Sequence, residues 1–203
     1  MKVAVIKYNA GNIRSVVNAL RRVGVEPSVT DDPATLCAAD RVIFPGQGEA
    51  STTMDYLRRS GLDAVIRSLT QPTLGICIGQ QLLCERSDEG DTPCLGVYTG
   101  AVVRRFSDLW PGEPCKVPHI GWNTVEQISS PLFAGLSEGD FVYYIHSYCV
   151  PLCEHTIAQT EYGGVRYSAA MRRGNFFAAQ FHPEKSGAVG ERILHNFIHL
   201  CHD

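Results

Sequence analysis

The sequence predicts an α/β fold in a single domain over residues 1–203. A central, mostly parallel sheet flanked by helices should be joined to an antiparallel, hairpin-rich second half. Three observations carry that expectation. The first half alternates short β-branched runs with helix-period segments, the pattern of βαβ units. The second half is a series of strand-length runs bounded by Gly, Pro, Asp and Asn. Finally, 203 residues with a hydrophobic share of 44% suffice for one sizeable core but not for two. No repeat, low-complexity tract or linker divides the chain.

The chain opens with KVAVIKY, a β-branched strand. In NIRSVVNALRRVG, Ile13, Val16, Val17 and Leu20 share one helical face, with Asn12 as N-cap and Gly24 as stop. EPSVT and RVIFPG are further strands, separated by a short helical DPATLCAA. TTMDYLRRSGLDAVIRSL is helical with an interruption at Gly61, TLGIC is a buried strand, and GQQLLCER is the helix behind it. LGVYTGAVVRRF, GWNTVEQI, FVYYIHSYCV, TIAQTEY, YSAAMRR and NFFAAQFHP read as strands of hairpins. A last helix gathers Ile193, Leu194, Phe197, Ile198 and Cys201 on one side.

Composition excludes several classes. The net charge of −3 gives no electrostatic reason to expect nucleic acid or an anionic membrane as partner. MKVAVIKYNAGN turns polar at once instead of building a signal sequence, and no apolar run approaches the ~20 residues of a membrane span. A cytoplasmic protein is expected. Its eight cysteines are then reduced, and most are small apolar fillers. Cys149, Cys153 and His155 have a spacing loosely compatible with a metal but no evident fourth ligand, so packing is the better reading. His195 and His199 fall among Glu191, Arg192 and Asn196, on a solvated side of the last helix.

The chemistry concentrates at GICIG, Gly75 to Gly79. A strand ends, Cys77 takes a strained turn, and a helix begins directly behind it, in the manner of a nucleophile elbow. A Cβ at either flanking position would crowd so sharp a reversal. The helix behind aims its positive end at the sulfur, which favours the anionic, nucleophilic form. A buried structural cysteine beside two glycines is the competing reading. A base is available in AAQFHPEKSG: Pro183 holds His182 extended, and residues i and i+2 of an extended chain project to one side. Glu184 then fixes the imidazole tautomer and leaves the other nitrogen for Cys77, as in a triad. An oxyanion would be met by the backbone N–H of Ile78 and a second donor from FPGQGEAS, where Pro45-Gly46-Gln47-Gly48 ends a strand. The rival reading of Gly46 to Ser51 as a dinucleotide fingerprint lacks its third glycine.

GICIGQQ, PGQG upstream and HPE near the C-terminus together resemble the class I, triad-type glutamine amidotransferases over nearly the whole chain. The resemblance implies a flavodoxin-like fold and no cofactor or metal. It also implies that Cys77, His182 and Glu184 hydrolyse the side-chain amide of L-glutamine through a glutamyl thioester, releasing ammonia. Carried over by position, the N–H groups of Gln47 and Ile78 form the oxyanion hole. Gly46, Gly48, Gln81, Ser147 and Tyr148 then hold the substrate's amino and carboxylate groups. Gln47 departs from the family, which carries a small aliphatic residue there, and Asn9-Ala10 before Gly11 is a second departure. YNAGNIRSV, VPHIGWN and YYIHSY are similar to one branch, whose members feed ammonia to a separate (β/α)8-barrel cyclase of histidine biosynthesis. The docking face for that partner would be Pro118, His119, Ile120, Gly121, Trp122 and Asn123 with Lys185, and Trp122 as a core residue is the alternative. Service to another ammonia-using synthase, or a catalytically silent regulatory role, are the competing functions.

Overall fold

The computed structural model describes residues 1–8, 12–112 and 115–202; Asn9, Ala10 and Gly11 of the opening motif lie outside the described residues. In chain order the first half contains β1 (Val3–Ile6), α1 (Ile13–Arg22), β2 (Ser28–Thr30), α2 (Pro33–Cys37), β3 (Arg41–Phe44), α3 (Ala50–Ser60), α4 (Leu62–Ser68), β4 (Thr73–Ile76) and α5 (Ile78–Leu83). The second half adds β5 (Cys84–Ser87), β6 (Thr92–Pro93), β7 (Tyr98–Arg105), β8 (His119–Thr124), β9 (Phe141–His146), β10 (Tyr148–Cys149), β11 (Thr156–Tyr162), β12 (Val165–Arg173), β13 (Phe176–Ala179) and α6 (Gly187–His199).

Seven strands form the central sheet in the order β11-β12-β13-β4-β3-β1-β2. From β13 to β2 every neighbour is parallel, and β11-β12-β13 is an antiparallel meander on one edge. The VAVI, RVIF, TLGI and FFAA segments are buried along their whole length, as strands covered by helices on both faces must be. Their alternate residues enter two separate cores. Val3, Val5, Ile43, Leu74 and Phe177 pack on the side of α1 and α6, while Ala4, Ile6, Val42, Phe44 and Ala178 pack on the side of α3, α4 and α5. A four-stranded sheet, β10-β7-β5-β6, and a two-stranded one, β8-β9, complete the fold, and Tyr98, Ala101 and Val103 of β7 pack into the core on the side of α3, α4 and α5.

Local chemistry sets the element ends. Asp32 caps α2 by accepting from Thr35 N–H at 2.8 Å, with Pro33 in the first turn. Glu49 caps α3 by accepting from the Ser51 and Thr52 N–H groups, both at 3.0 Å, and Gly61 separates α3 from α4. Four expectations need correction. Asn12 sits at φ 75° and makes no capping bond, because its side chain is committed elsewhere. GQQLLCER is helical only to Leu83; Cys84 turns extended (ψ 176°), and Cys84–Ser87 pairs with β7 as a strand. The long FVYYIHSYCV strand breaks at Ser147 and changes sheets there. Asn196 is buried rather than solvated, since its amide donates to the carbonyls of Leu132 and Ala134. Among the described residues no helix is long and apolar enough to cross a membrane, and no three His, Cys, Asp or Glu side chains gather for a metal.

Candidate active site

Four strand ends and two loops build the site. At the end of β4 the backbone of Cys77 is driven to φ 54°, ψ −108°, a conformation rare for a residue with a side chain. Its N–H donates to Ala179 O of the adjacent β13 at 2.7 Å, and its carbonyl accepts the first turn of α5 from Gln80 and Gln81. The corner is possible only without side chains around it. A Cβ on Gly79 would lie 2.3 Å from the carbonyl oxygen of Phe44, and one on Gly75 would lie 2.8 Å from the backbone of Gly79. A Cβ on Gly46 would sit 1.8 Å from Cγ2 of Ile78, so the loop after β3 presses directly on the residue that follows the cysteine.

His182 approaches from the end of β13, the strand paired in parallel with β4. Its N–H donates to Tyr143 O at 2.9 Å and the residue is fully buried. Nδ1 lies 2.6 Å from Oε1 of Glu184. A carboxylate oxygen only accepts, so Nδ1 carries the hydrogen and Nε2 is the nitrogen left for chemistry. The contact is made differently from the expected extended i, i+2 arrangement. His182 itself is extended, but Pro183–Lys185 forms a 3₁₀ turn that curls Glu184 back under the ring. Oε1 also accepts from Asn12 Nδ2, which explains the missing cap on α1. Nε2 has no hydrogen-bond partner among the described residues, although the Cys77 sulfur is near enough for its charge to act on the ring. Burial works against protonation of His182. The nearby charge of Cys77, followed by the hydrogen bond and charge of Glu184, outweighs it and raises the pKa to about 10.

Cys77 opens into a cleft of about 270 Å³, lined by Gln47, Gly48, Ile78, Gln81, Glu89, Pro118, Ile145, His146, Ser147 and Tyr148. That is below the ~300–1,000 Å³ of pockets for drug-sized ligands and suits a small metabolite. Gln47, Gly48, Ile78, Gln81, Ser147 and Tyr148 are thus gathered around the cysteine. Gly46 is not among the lining residues; it supports Ile78 from behind. Gln81 Nε2 donates to Tyr148 O at 3.0 Å and to Gln180 Oε1 at 2.9 Å, which leaves the Gln81 carbonyl oxygen as its free end.

Four residues escaped the sequence reading. Gln180 is fully buried, and its Nε2 donates toward the Cys77 sulfur at 3.6 Å. Glu89 supplies the one carboxylate among the lining residues; its Oε2 accepts from Ala50 N–H at 2.7 Å, and burial, then the neighbouring Glu49, raises its pKa. His146 and Asn12 complete the set. Gln180 lies two positions before His182 of the HPE motif and Glu89 lies in the acidic run RSDEGD, but neither spacing says where the side chain points.

The residues assigned to docking divide in two. His119 is buried, stacked at 3.9 Å on Tyr162 and 4.9 Å on Tyr144, and therefore cannot present its ring outward. Pro118 lines the cleft, and Asn123 donates to Glu161 O at 2.9 Å. Trp122 is 55% exposed, not a core residue, and meets Tyr143 edge-on at 5.9 Å. Ile120 and Phe141 are exposed beside it on the β8-β9 ribbon, with Gly121 between Ile120 and Trp122. Lys185 Nζ stands 5.8 Å from the Tyr143 ring centroid.

Known proteins resemble this chain over nearly its whole length. The family described as "Glutamine amidotransferase class-I" matches residues 4–201. The protein "Imidazole glycerol phosphate synthase subunit HisH" of Bacteroides fragilis is 56% identical over 201 residues, covering 98% of this chain and 100% of its own length. The protein of that name from Photorhabdus laumondii is 41% identical over 207 residues, with the same two coverages. A solved structure described as a glutamine amidotransferase superposes with a TM-score of 0.73 at 23% identity, covering 98% of this chain and 97% of its own. The structure of a glutamine amidotransferase from Thermotoga maritima gives 0.63 at 20% identity, covering 98% of this chain and 82% of its own. The chain belongs to the class I glutamine amidotransferase family.

Proposed function

We propose that the protein is the glutamine-hydrolysing subunit of imidazole glycerol phosphate synthase, a cytoplasmic enzyme of histidine biosynthesis that delivers ammonia to a (β/α)8-barrel cyclase subunit. The observation that carries the chemistry is the fixed tautomer of His182, set by Glu184 at 2.6 Å, beside a cysteine on a strained elbow at the floor of the cleft. The near-complete match to relatives bearing that subunit's name supports the choice of synthase.

In this reading the Glu89 carboxylate and the free oxygen of Gln81 receive the α-ammonium of glutamine. No Lys or Arg is among the lining residues, so backbone N–H groups of Gly48, Ser147 and Tyr148 receive the α-carboxylate. With the thiol proton held on the His182 ring, the Cys77 sulfur attacks the side-chain amide carbon. The carbonyl electrons move onto oxygen, where the N–H of Ile78 and that of Gln47 stabilise the charge. Collapse re-forms the carbonyl and breaks the C–N bond while Nε2–H passes its proton to the leaving nitrogen, giving ammonia and the thioester. His182, now neutral, takes a proton from water as the water attacks. Glutamate leaves, and the proton returns to the sulfur–imidazole pair.

Activity in the presence of the barrel cyclase tests the reading. Cys77→Ala should abolish glutamine-dependent synthesis while sparing synthesis from added ammonia, since the cyclase chemistry is separate. Glutamine-driven turnover that persists in this variant, or wild-type glutamine hydrolysis serving only a different synthase, defeats the proposal.

A further inference from the structure

We propose that His146 is a positioning residue for glutamine, held by Tyr167 and His119 in the one tautomer that lets its ring cap the Tyr148 carbonyl at the cleft edge. The inference rests on the reading of the cleft as the glutamine site.

The network starts from a fixed acceptor. His146 Nδ1 lies 2.8 Å from Tyr148 O, and a carbonyl can only accept, so Nδ1 carries the hydrogen. The ring is buried, and burial lowers its pKa to about 3, so it is neutral and Nε2 is a bare acceptor. The partner of Nε2 is Tyr167 Oη at 3.3 Å, and a bare Nε2 is matched by a hydroxyl that donates to it. The same oxygen lies 3.2 Å from His119 Nδ1, which donates to it in the arrangement proposed. Desolvation also keeps His119 neutral, with a pKa of about 4, and its ring is clamped between Tyr144 and Tyr162. The order is thus His119 to Tyr167 to His146 to the Tyr148 carbonyl.

The backbone explains why that carbonyl matters. β10 is the edge strand of its sheet, and Tyr148 opposes Arg105 of β7 while Phe106 N–H donates to Ser147 O at 3.0 Å. Tyr148 is therefore the non-bonded position of the antiparallel ladder, and both its N–H and its C=O point away from β7. The N–H is the group wanted by a substrate carboxylate; the carbonyl beside it carries partial negative charge that would repel one. His146 Nδ1–H and Gln81 Nε2–H both bind the carbonyl and offset that charge. They also fix the segment at the break between β9 and β10, where only two residues are strand-paired.

Glutamine hydrolysis by the chain assembled with its cyclase tests this. Turnover by the wild type examines the glutaminase reading alone; the variants examine His146. Tyr167→Phe keeps the ring and removes the relay hydroxyl. It should raise the glutamine KM roughly 3- to 10-fold with kcat little changed, as expected for loss of one buried hydrogen bond. Ring ¹⁵N signals of His146 should show the Nδ1–H tautomer in the wild type and a mixture in Tyr167→Phe. His146→Leu should raise KM roughly tenfold or more, and His146→Asn, whose amide nitrogen overlays Nδ1, should recover most of the loss. An unchanged KM in Tyr167→Phe, or an Nε2–H ring in the wild type, overturns the proposal. Should His146→Leu fail to fold, Tyr167→Phe decides alone.

Discussion

Glu184 acts on chemistry only through the ring of His182, so its removal is expected to change rate and pH profile rather than fold. Its hydrogen bond and charge help lift the pKa of His182 to about 10. The leaving nitrogen needs the protonated ring, and glutamine turnover should therefore hold through neutrality and decline as pH approaches 10. Glu184→Gln keeps shape but drops the charge, so the alkaline limb should move to lower pH. Because tautomer control is also weakened, kcat should fall by roughly 10³- to 10⁴-fold, measured as a pH–rate profile on matched protein. Cys77, His182 and Glu184 were legible in the sequence because their signals are local: two glycines around a cysteine, and a proline between a histidine and an acid. Gln180, Glu89 and Asn12 were not, because each reaches the site through a side-chain direction set by distant backbone. Asn12 lies 172 positions from the carboxylate it meets.

Among elements, the turn from β4 into α5 is tightly constrained. Gly79→Ala would set a methyl group 2.3 Å from a backbone oxygen that cannot step aside. It should destabilise the fold by about 1–3 kcal/mol or more and misplace the sulfur, read by denaturant unfolding together with glutaminase rate. The buried parallel strands were readable because continuous apolar runs such as VAVI and RVIF have no other stable home than a sheet covered on both faces. Cys84–Arg86, the end of GQQLLCER, was misread as helix because CER carries no alternation that distinguishes a strand, and only pairing with its neighbours makes it extended. The break at Ser147 was equally silent, since FVYYIHSYCV is β-favouring throughout and the change of sheet is a tertiary event.

For the molecule as a whole, the exposed apolar ribbon of Ile120, Trp122 and Phe141 stands next to the cleft mouth formed by Pro118 and Ile145. Trp122→Ala should leave unfolding free energy nearly unchanged and weaken binding of the cyclase roughly 30- to 1,000-fold, measured by calorimetric titration. Stability should also depend on acid in a defined window. His119 and His146 have folded-state pKa values lowered to about 4 and about 3, below the ~6.5 of an unfolded histidine. Below pH ~6.5 the unfolded chain binds protons that the folded chain refuses. Their contribution is thus complete above about 6.5 and lost as pH falls toward about 3. Replacing either ring with a non-titrating one should flatten the stability curve in that interval, followed by thermal unfolding at stepped pH. The exposure of Trp122 fits the reading of PHIGWN, whereas the inward turn of His119 was not legible, because the period-2 alternation of a strand leaves open which face the first residue takes.

Ile76 and Ala179 are direct partners in the parallel pairing of β4 with β13. The residues that follow them, Cys77 and Gln180, are in contact although 103 positions apart in the chain. During synthesis the elbow therefore emerges long before the strand that brings its histidine. The thiol stays without its imidazole until residue 182 has left the ribosome. Recovery of glutamine cleavage after dilution from denaturant would accordingly time the closure of this sequence-distant contact, a slow step by topology, and would lag behind probes of the early-made half.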